Sequence, residues 1–370
     1  MNYENLYKAI PLFLLVFKVN AQIQVVDSHS KEGIAFVEIY SSKGDLVALT
    51  DINGIINKEK ISQIQGLDES EVSFDHFAYD ELIISKEAFK SSKEIELAPR
   101  TYHLREVIVK AKKPNYKFIE LHGFYRSYQI DNDALTYYTD GVITYCLPLK
   151  SKNKIQNKKI AYRLLVNKKS ERNERARPVT VSILMAGPPR PDKRLTTNYL
   201  KKNGCVFKPD KNGFKNYIVK EGDTVGVVSS QPGENLSRLE ISFISEKNPE
   251  ERKLFGYYSS IDSHYATACF KTKNVDGLNL KSLLYHKEIV KLRFKHKKDK
   301  NYQQIEAIHE FFVTKTEFVS RFDKKGYSKW FGFGKRSNYS NAFWKNFSNL
   351  PYYQPLPKGV LRELAAAKQM

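Results

Sequence analysis

The chain has 370 residues, 41% of them apolar and 13% aromatic, and carries 61 Lys and Arg against 41 Asp and Glu, a formal charge of +20. That content of apolar side chains excludes a chain disordered throughout, and the length exceeds one ordinary core, so two or three domains are expected. With 22 Phe and 23 Tyr outside any helical period, the composition favours sheet.

Residues 1–21 read as an export signal, since Lys8 is followed by an apolar run from Ala9 to Phe17 and the stretch closes on Val19-Asn20-Ala21 before Gln22. The run is far short of the ~20 residues that span a bilayer, and no later segment reads as a membrane helix. The expected product is an exported chain that begins at Gln22 and lies in the periplasm or on the periplasmic face of the outer membrane.

From Gln24, short alternating runs follow one another: 24–26, 34–40, 46–50, 71–74, 81–84 and 94–97. Turn residues separate them at Ser41 to Asp45 and at Asp51-Ile52-Asn53-Gly54, where Gly supplies positive φ. Strands with one apolar face each need a second sheet, so residues 22–97 are expected to form a β-sandwich. Asp45, Asp51 and Asn53 do not complete a calcium loop and read as turn caps.

The segment from Ile23 through Thr50-Asp51-Ile52-Asn53-Gly54-Ile55, then Val72 to Tyr79 and Glu94 to Leu97, resembles the Bacteroidetes carboxypeptidase regulatory-like domain, a transthyretin-like sandwich. Leu104-Arg105-Glu106-Val107-Ile108-Val109-Lys110-Ala111 resembles the tail by which that domain joins its neighbour. Ala78 stands where the family commonly has Gly, and Ile55 and Ile56 stand where it commonly has Phe. The resemblance implies an exported, often outer-membrane-associated product in which the module is accessory, and it brings no catalytic residues.

Residues 98–117 are expected to hold a final strand and a linker, with the join near Lys112-Lys113-Pro114-Asn115. Residues 118–326 read as a larger antiparallel β-rich domain. Its expected strands include 123–128, 135–145, 160–166, 239–244, 253–258, 264–270, 288–295 and 306–313. The stretch from Asn167 to Lys220 reads as long loops around a short run at 179–185, with a rigid Pro-rich loop at Ala186 to Asp192 and a turn at Lys208 to Phe214. In its order of strands the region resembles the periplasmic half-barrel carriers of lipidated proteins. Residues 327–370 are an aromatic segment and a short C-terminal helix near 360–368. The fold class expected is therefore mainly β: a sandwich, then a larger α+β domain with long loops.

Chemistry-bearing motifs are sparse. His103 and Glu106 fall on opposite faces of a strand, His309-Glu310 lacks the second His of the helical zinc motif, and His29, His76, His122, His264, His286 and His296 form no spacing series. No Ser stands in a nucleophile elbow, and Cys146, Cys205 and Cys269 lack metal or redox spacing and read as buried small hydrophobes. Asp131, Asp133 and Asp140 could be assembled as a glycan-cleaving carboxylate pair, but turn capping accounts for them. No catalytic, cofactor or metal site is expected, and export argues against nucleic acid as a partner.

Charge is divided along the chain: −8 over residues 22–97 and +27 over 98–370. The expected use is an envelope interaction module whose two parts face different partners, an anionic envelope surface or another envelope protein. The densest basic patch is expected at Lys291, Arg293, Lys295, Lys297 and Lys298, with the cations of the strand outward and Val290, Leu292 and Phe294 inward. The alternatives are a periplasmic carrier, holding a lipid or other apolar ligand in a groove of Trp330, Phe331, Phe333, Phe343 and Trp344, and a glycan-acting enzyme.

Overall fold

The computed structural model describes residues 22–100, 116–132, 134–149, 154–167, 187–211, 213–230, 235–244, 251–254, 256–321, 323–329, 337–339 and 352–369. The expected signal at 1–21, the join at 110–115, His103, Glu106, Asp133, the run 179–185 and the groove residues Trp330, Phe331, Phe333, Phe343 and Trp344 lie outside the described residues.

Residues 23–97 build two facing sheets. One is β1 (Ile23–Asp27) between β4 (Ile55–Ile56) and β7 (Glu94–Leu97); the other orders β2 (Glu38–Ser41), β3 (Leu46–Leu49), β5 (Glu71–Asp75) and β6 (Leu82–Ser85) as β3-β2-β5-β6. Between them pack Val25, Ile39, Ile56, Phe74 and Phe89. The expected strand at 34–40 begins only at Glu38, because Phe36 sits at φ 54°, a left-handed conformation rare for a bulky residue. Two helices within the sandwich escaped the alternating pattern, α1 (Lys58–Gln65) and α2 (Lys86–Ser91). Asn57 and Ser85 cap their first turns, and Ile61 and Ile64, three apart, turn one face of α1 into the core.

The rest of the chain centres on a twelve-stranded sheet. Its members are β8 (Phe118–Asp131), β9 (Ala134–Pro148), β10 (Gln156–Val166), β11 (Val206–Pro209), β12 (Lys215–Lys220), β13 (Asp223–Ser230), β14 (Ser237–Ser242), β15 (Glu251–Leu254), β16 (Tyr257–Phe270), β17 (Leu283–His296), β18 (Gln303–Val319) and β19 (Lys368–Gln369). The spatial order is β11-β12-β13-β14-β16-β17-β18-β8-β9-β10-β19, with β15 beside β16 and every pairing antiparallel. Part of the stretch read as long loops is ordered: α3 (Thr197–Lys202), β11 and β12 fall between 187 and 220. Short strands with mixed polarity there carry too little alternation to register as sheet.

Both faces of this sheet are covered. On one, Leu121, Tyr125, Ile143, Leu239, Ala268 and Phe311 meet Leu195, Leu200 and Leu278 from the segments that cross it. Gly123 and Gly141 lie under the Phe311 and Tyr125 rings, where a Cβ would leave no room for them. The other face receives the sandwich together with Tyr352, Tyr353 and α4 (Lys358–Ala366). The three cysteines are free thiols and all buried.

Helix α4 wedges the two parts together. Val360 packs against Tyr40 and Leu46 of the sandwich and Tyr128 of the sheet, Glu363 accepts from the Leu135 N–H at 2.7 Å, and a Cβ at Gly359 would overlap the Lys43 carbonyl. Gly359→Ala is therefore expected to destabilise the chain by ~1–3 kcal/mol from overpacking, against a helix-propensity gain of about 1 kcal/mol. Chemical denaturation of the two forms measures the balance, and a variant more stable than the native chain would place the helix away from the Lys43 turn.

Candidate functional site

Strand alternation and register together place one charge from each of several neighbouring strands in line. The row runs Glu240, Thr267, Lys287, Glu310, Arg126, Asp140, Arg163 across β14, β16, β17, β18, β8, β9 and β10, each residue paired in register with the next. Signs alternate along its charged members. Arg126 pairs with Glu310 through Nε and, at 3.2 Å, through Nη2; Arg163 holds Asp140 by two bonds of 2.9 and 2.6 Å; Tyr285 donates to Glu310 at 2.9 Å. Burial works to raise the Glu310 carboxyl, and Arg126 and Lys287 bring it below the usual carboxylate range.

The row lies between two apolar belts on the same face. Phe124, Cys269, Tyr285 and Phe312 form one, against Phe77, Ala78 and Tyr352; Tyr128, Tyr138, Ile289 and Ile308 form the other, against Tyr40, Leu46 and Val360. Arg126 also stands beneath the Tyr353 and Phe312 rings, at 5.2 and 5.7 Å.

The sandwich completes the row from above. Glu38 receives Lys287 Nζ at 2.5 Å and also the Tyr40 hydroxyl, and His76 Nε2 meets Glu240 at 2.6 Å. Lys291 donates to the Leu46 carbonyl at 2.7 Å, Lys215 pairs with Glu32, and Gln354 donates to Asp75 at 2.8 Å. Lys287 and Glu38 are only 4% and 6% exposed. Two acids of the sandwich, Glu38 and Glu32, thus meet bases of the sheet within one chain.

The expected basic patch is divided by this arrangement. Lys291, Arg293 and Lys295 do share a face, but it is the face that the sandwich covers near Lys291, which pairs with Glu306 at 3.1 Å. Arg293 pairs with Asp262 at 3.2 Å. Alternation within one strand places these cations together on a face but cannot show what lies over it. What remains open is the tip where the β15–β16 and β17–β18 hairpins meet, joined by the Lys297 N–H to the Gly256 carbonyl at 2.8 Å. Arg252, Lys253, Lys297, Lys298 and Lys300 are exposed there, Lys295 lies over the Tyr302 and Tyr258 rings at 4.4 and 5.9 Å, and Lys253 over Tyr258 at 5.1 Å. Glu251, Asp262 and Asp299 oppose them.

Asp131 and Asp140 are buried, not turn caps: Gln129 donates to Asp131, and Asp140 is held in the row. His309 and Glu310 point to opposite faces.

On the face opposite the sandwich, residues that showed no spacing series come together. Glu288 accepts from His264 at 2.6 Å and from Arg194 at 2.8 Å, lies beside His309 in register, and neighbours His286. Burial works to raise the Glu288 carboxyl, yet the His264 hydrogen bond and the nearby imidazoles hold it down to about 2. Burial lowers the pKa of His286 and His309. His309 Nδ1 lies 3.0 Å from Ser127 Oγ, the spacing of a nucleophile and its base, but Ser127 is fully buried and closed to a substrate. The signal was available only as parity: His286 and Glu288 share one strand face, and cross-strand register supplied His264 and His309. Nearer the sheet edge a polar cleft of about 360 Å3 is lined by Lys201, Asn216, Ser230, Ser237, Lys273 and Asp276, among others.

No family model and no curated protein matches this chain.

Removing Lys287 leaves Glu38 and Glu310 buried without their shared cation, so Lys287→Met is expected to cost ~3–5 kcal/mol. Combining it with Glu38→Gln restores a large part, a coupling read from a double-mutant cycle in denaturant.

Asp75, partly buried beside the row, is pushed up to about 7, first by burial and then by Glu38, against the pull of Lys287. In the fold it keeps a proton that the unfolded chain has released, so its contribution is full below pH 3.8 and is lost as pH rises through about 7. Native stability is expected to fall more between pH 5 and pH 8 than that of Asp75→Asn. Parallel slopes would contradict the assignment.

Proposed function

We propose that the chain is an exported, non-enzymatic interaction protein of the bacterial envelope, and that its β15–β18 tip contacts anionic lipid headgroups. The observation that carries the reading is the exposed group Arg252, Lys253, Lys297, Lys298 and Lys300 around the Tyr258 and Tyr302 rings. Cations on two adjoining hairpins outnumber the acids beside them, and tyrosines suit a boundary that is apolar on one side and wet on the other. The sandwich, which resembles an accessory module of envelope proteins, serves here as a clamp on the sheet, with two of its acids, Glu38 and Glu32, directed at the sheet's Lys287 and Lys215.

The alternative of a carrier of apolar ligands rests on Trp330, Phe331, Phe333, Phe343 and Trp344, which lie outside the described residues; among the described residues the sheet's other face is filled by side chains such as Tyr125, Phe311, Leu195 and Leu200.

Sedimentation with phosphatidylglycerol-containing vesicles tests the proposal at low and physiological salt. Lys297→Glu, Lys298→Glu and Lys300→Glu combined should weaken binding by roughly 100-fold at low salt, with about 1 kcal/mol from each cation, and native binding should weaken as salt rises. Equal binding by native and variant, or none by the native chain, would overturn it.

A further inference from the structure

We infer that Glu120, His122 and Glu317 form a binding site for a divalent transition cation of the zinc class, at the end of β8 and β18 remote from the basic tip. Glu120 and His122 are two apart on β8 and so share a face, and register sets Glu317 of β18 directly opposite Glu120. One ligand atom from each lies within 4.8 Å of the others.

The polar atoms divide into two sets. Glu120 Oε1 accepts from the Tyr327 hydroxyl at 3.0 Å, Glu317 Oε1 from Lys315 Nζ at 2.6 Å, and His122 Nδ1 is 3.0 Å from Thr144 Oγ1. With Nδ1–H donating to Thr144, His122 Nε2 carries the lone pair. The three atoms left over, Glu120 Oε2, Glu317 Oε2 and His122 Nε2, are the ones that converge: Nε2 is 2.9 Å from Glu317 Oε2 and 3.7 Å from Glu120 Oε2. Nε2 is itself buried, and neither carboxylate meets it in a well-formed hydrogen bond.

Each ligand is thus oriented by a neighbour that occupies its other polar atom, the arrangement by which outer residues fix metal ligands. One imidazole nitrogen and two carboxylate oxygens suit zinc at about 2.0–2.2 Å, where ligand atoms stand roughly 3.3 Å apart, within reach of small side-chain rotations. Three protein ligands leave the fourth position to water. The His122 and Glu317 side chains are 28% and 38% exposed, which gives a cation a route from solvent.

The arrangement is distinct from the His264, His286, Glu288 and His309 cluster, where Arg194 and His264 both bond Glu288 Oε1 and His286 is fully buried. It differs also from a bare acidic patch, because it contains an imidazole whose ring is pinned by Thr144.

The test is calorimetric titration of Zn2+ into the untagged, chelator-stripped full chain. One equivalent bound with micromolar or tighter affinity is expected, accompanied by a rise in melting temperature. His122→Ala and Glu317→Gln should each abolish that site, Tyr327→Phe should weaken it about tenfold, and His29→Ala, at an exposed turn, should leave it unchanged. Melting without metal verifies that each variant folds; Glu317, partly open to solvent, gives the readout that does not depend on the fold tolerating loss of His122. Absence of saturable binding by the native chain, or native-like affinity in Glu317→Gln, would overturn the assignment.

Discussion

The arrangement of the molecule depends on a line of alternating charge crossing a sheet between two apolar belts. Glu310 alone receives Arg126 and Tyr285 and faces Lys287, and Lys287 in turn reaches Glu38 on the sandwich. Each ion taken out of water costs several kcal/mol, which attraction offsets only where every partner is present. The row is therefore incomplete without the sandwich: lifting it away would remove from Lys287 one of its two carboxylates and from Glu240 its imidazole. The apolar belts give affinity in proportion to area, and the row fixes the register at which that area is buried.

A consequence follows for the division of charge along the sequence. A segment of −8 before one of +27 suggests two domains displaying opposite fields to the outside. In the folded chain part of that opposition is consumed internally at Glu38–Lys287 and Glu32–Lys215, and the net positive excess is left to surfaces that the sandwich does not cover, the tip among them. Cations near the middle of β17 hold the chain together, and those past its end are available to a partner.

The mainly β class, the sandwich and the long aromatic strands were legible because alternation is local and repeats every two residues, whereas β4, two residues long, carries no alternation to read. The helices α1 and α2 were not, being only eight and six residues long amid strands. Nor was the charge row, since Arg126, Asp140, Lys287 and Glu310 are far apart in sequence and each, read in its own strand, looks like an ordinary wet-face residue. Lys291 shows the limit most clearly: parity groups it with Arg293 and Lys295 on one face, but what covers that face is 245 residues away at Leu46. His122 and Glu120 stood two apart in plain view, and Glu317 joined them only through the register of β8 with β18.

Differential scanning calorimetry of the full chain tests most directly whether the sandwich and the sheet are one cooperative body. A buried charge row shared between them requires one transition, with calorimetric and van't Hoff enthalpies equal. Two resolved transitions, with residues 22–97 melting apart from the sheet, would show that the row does not join them.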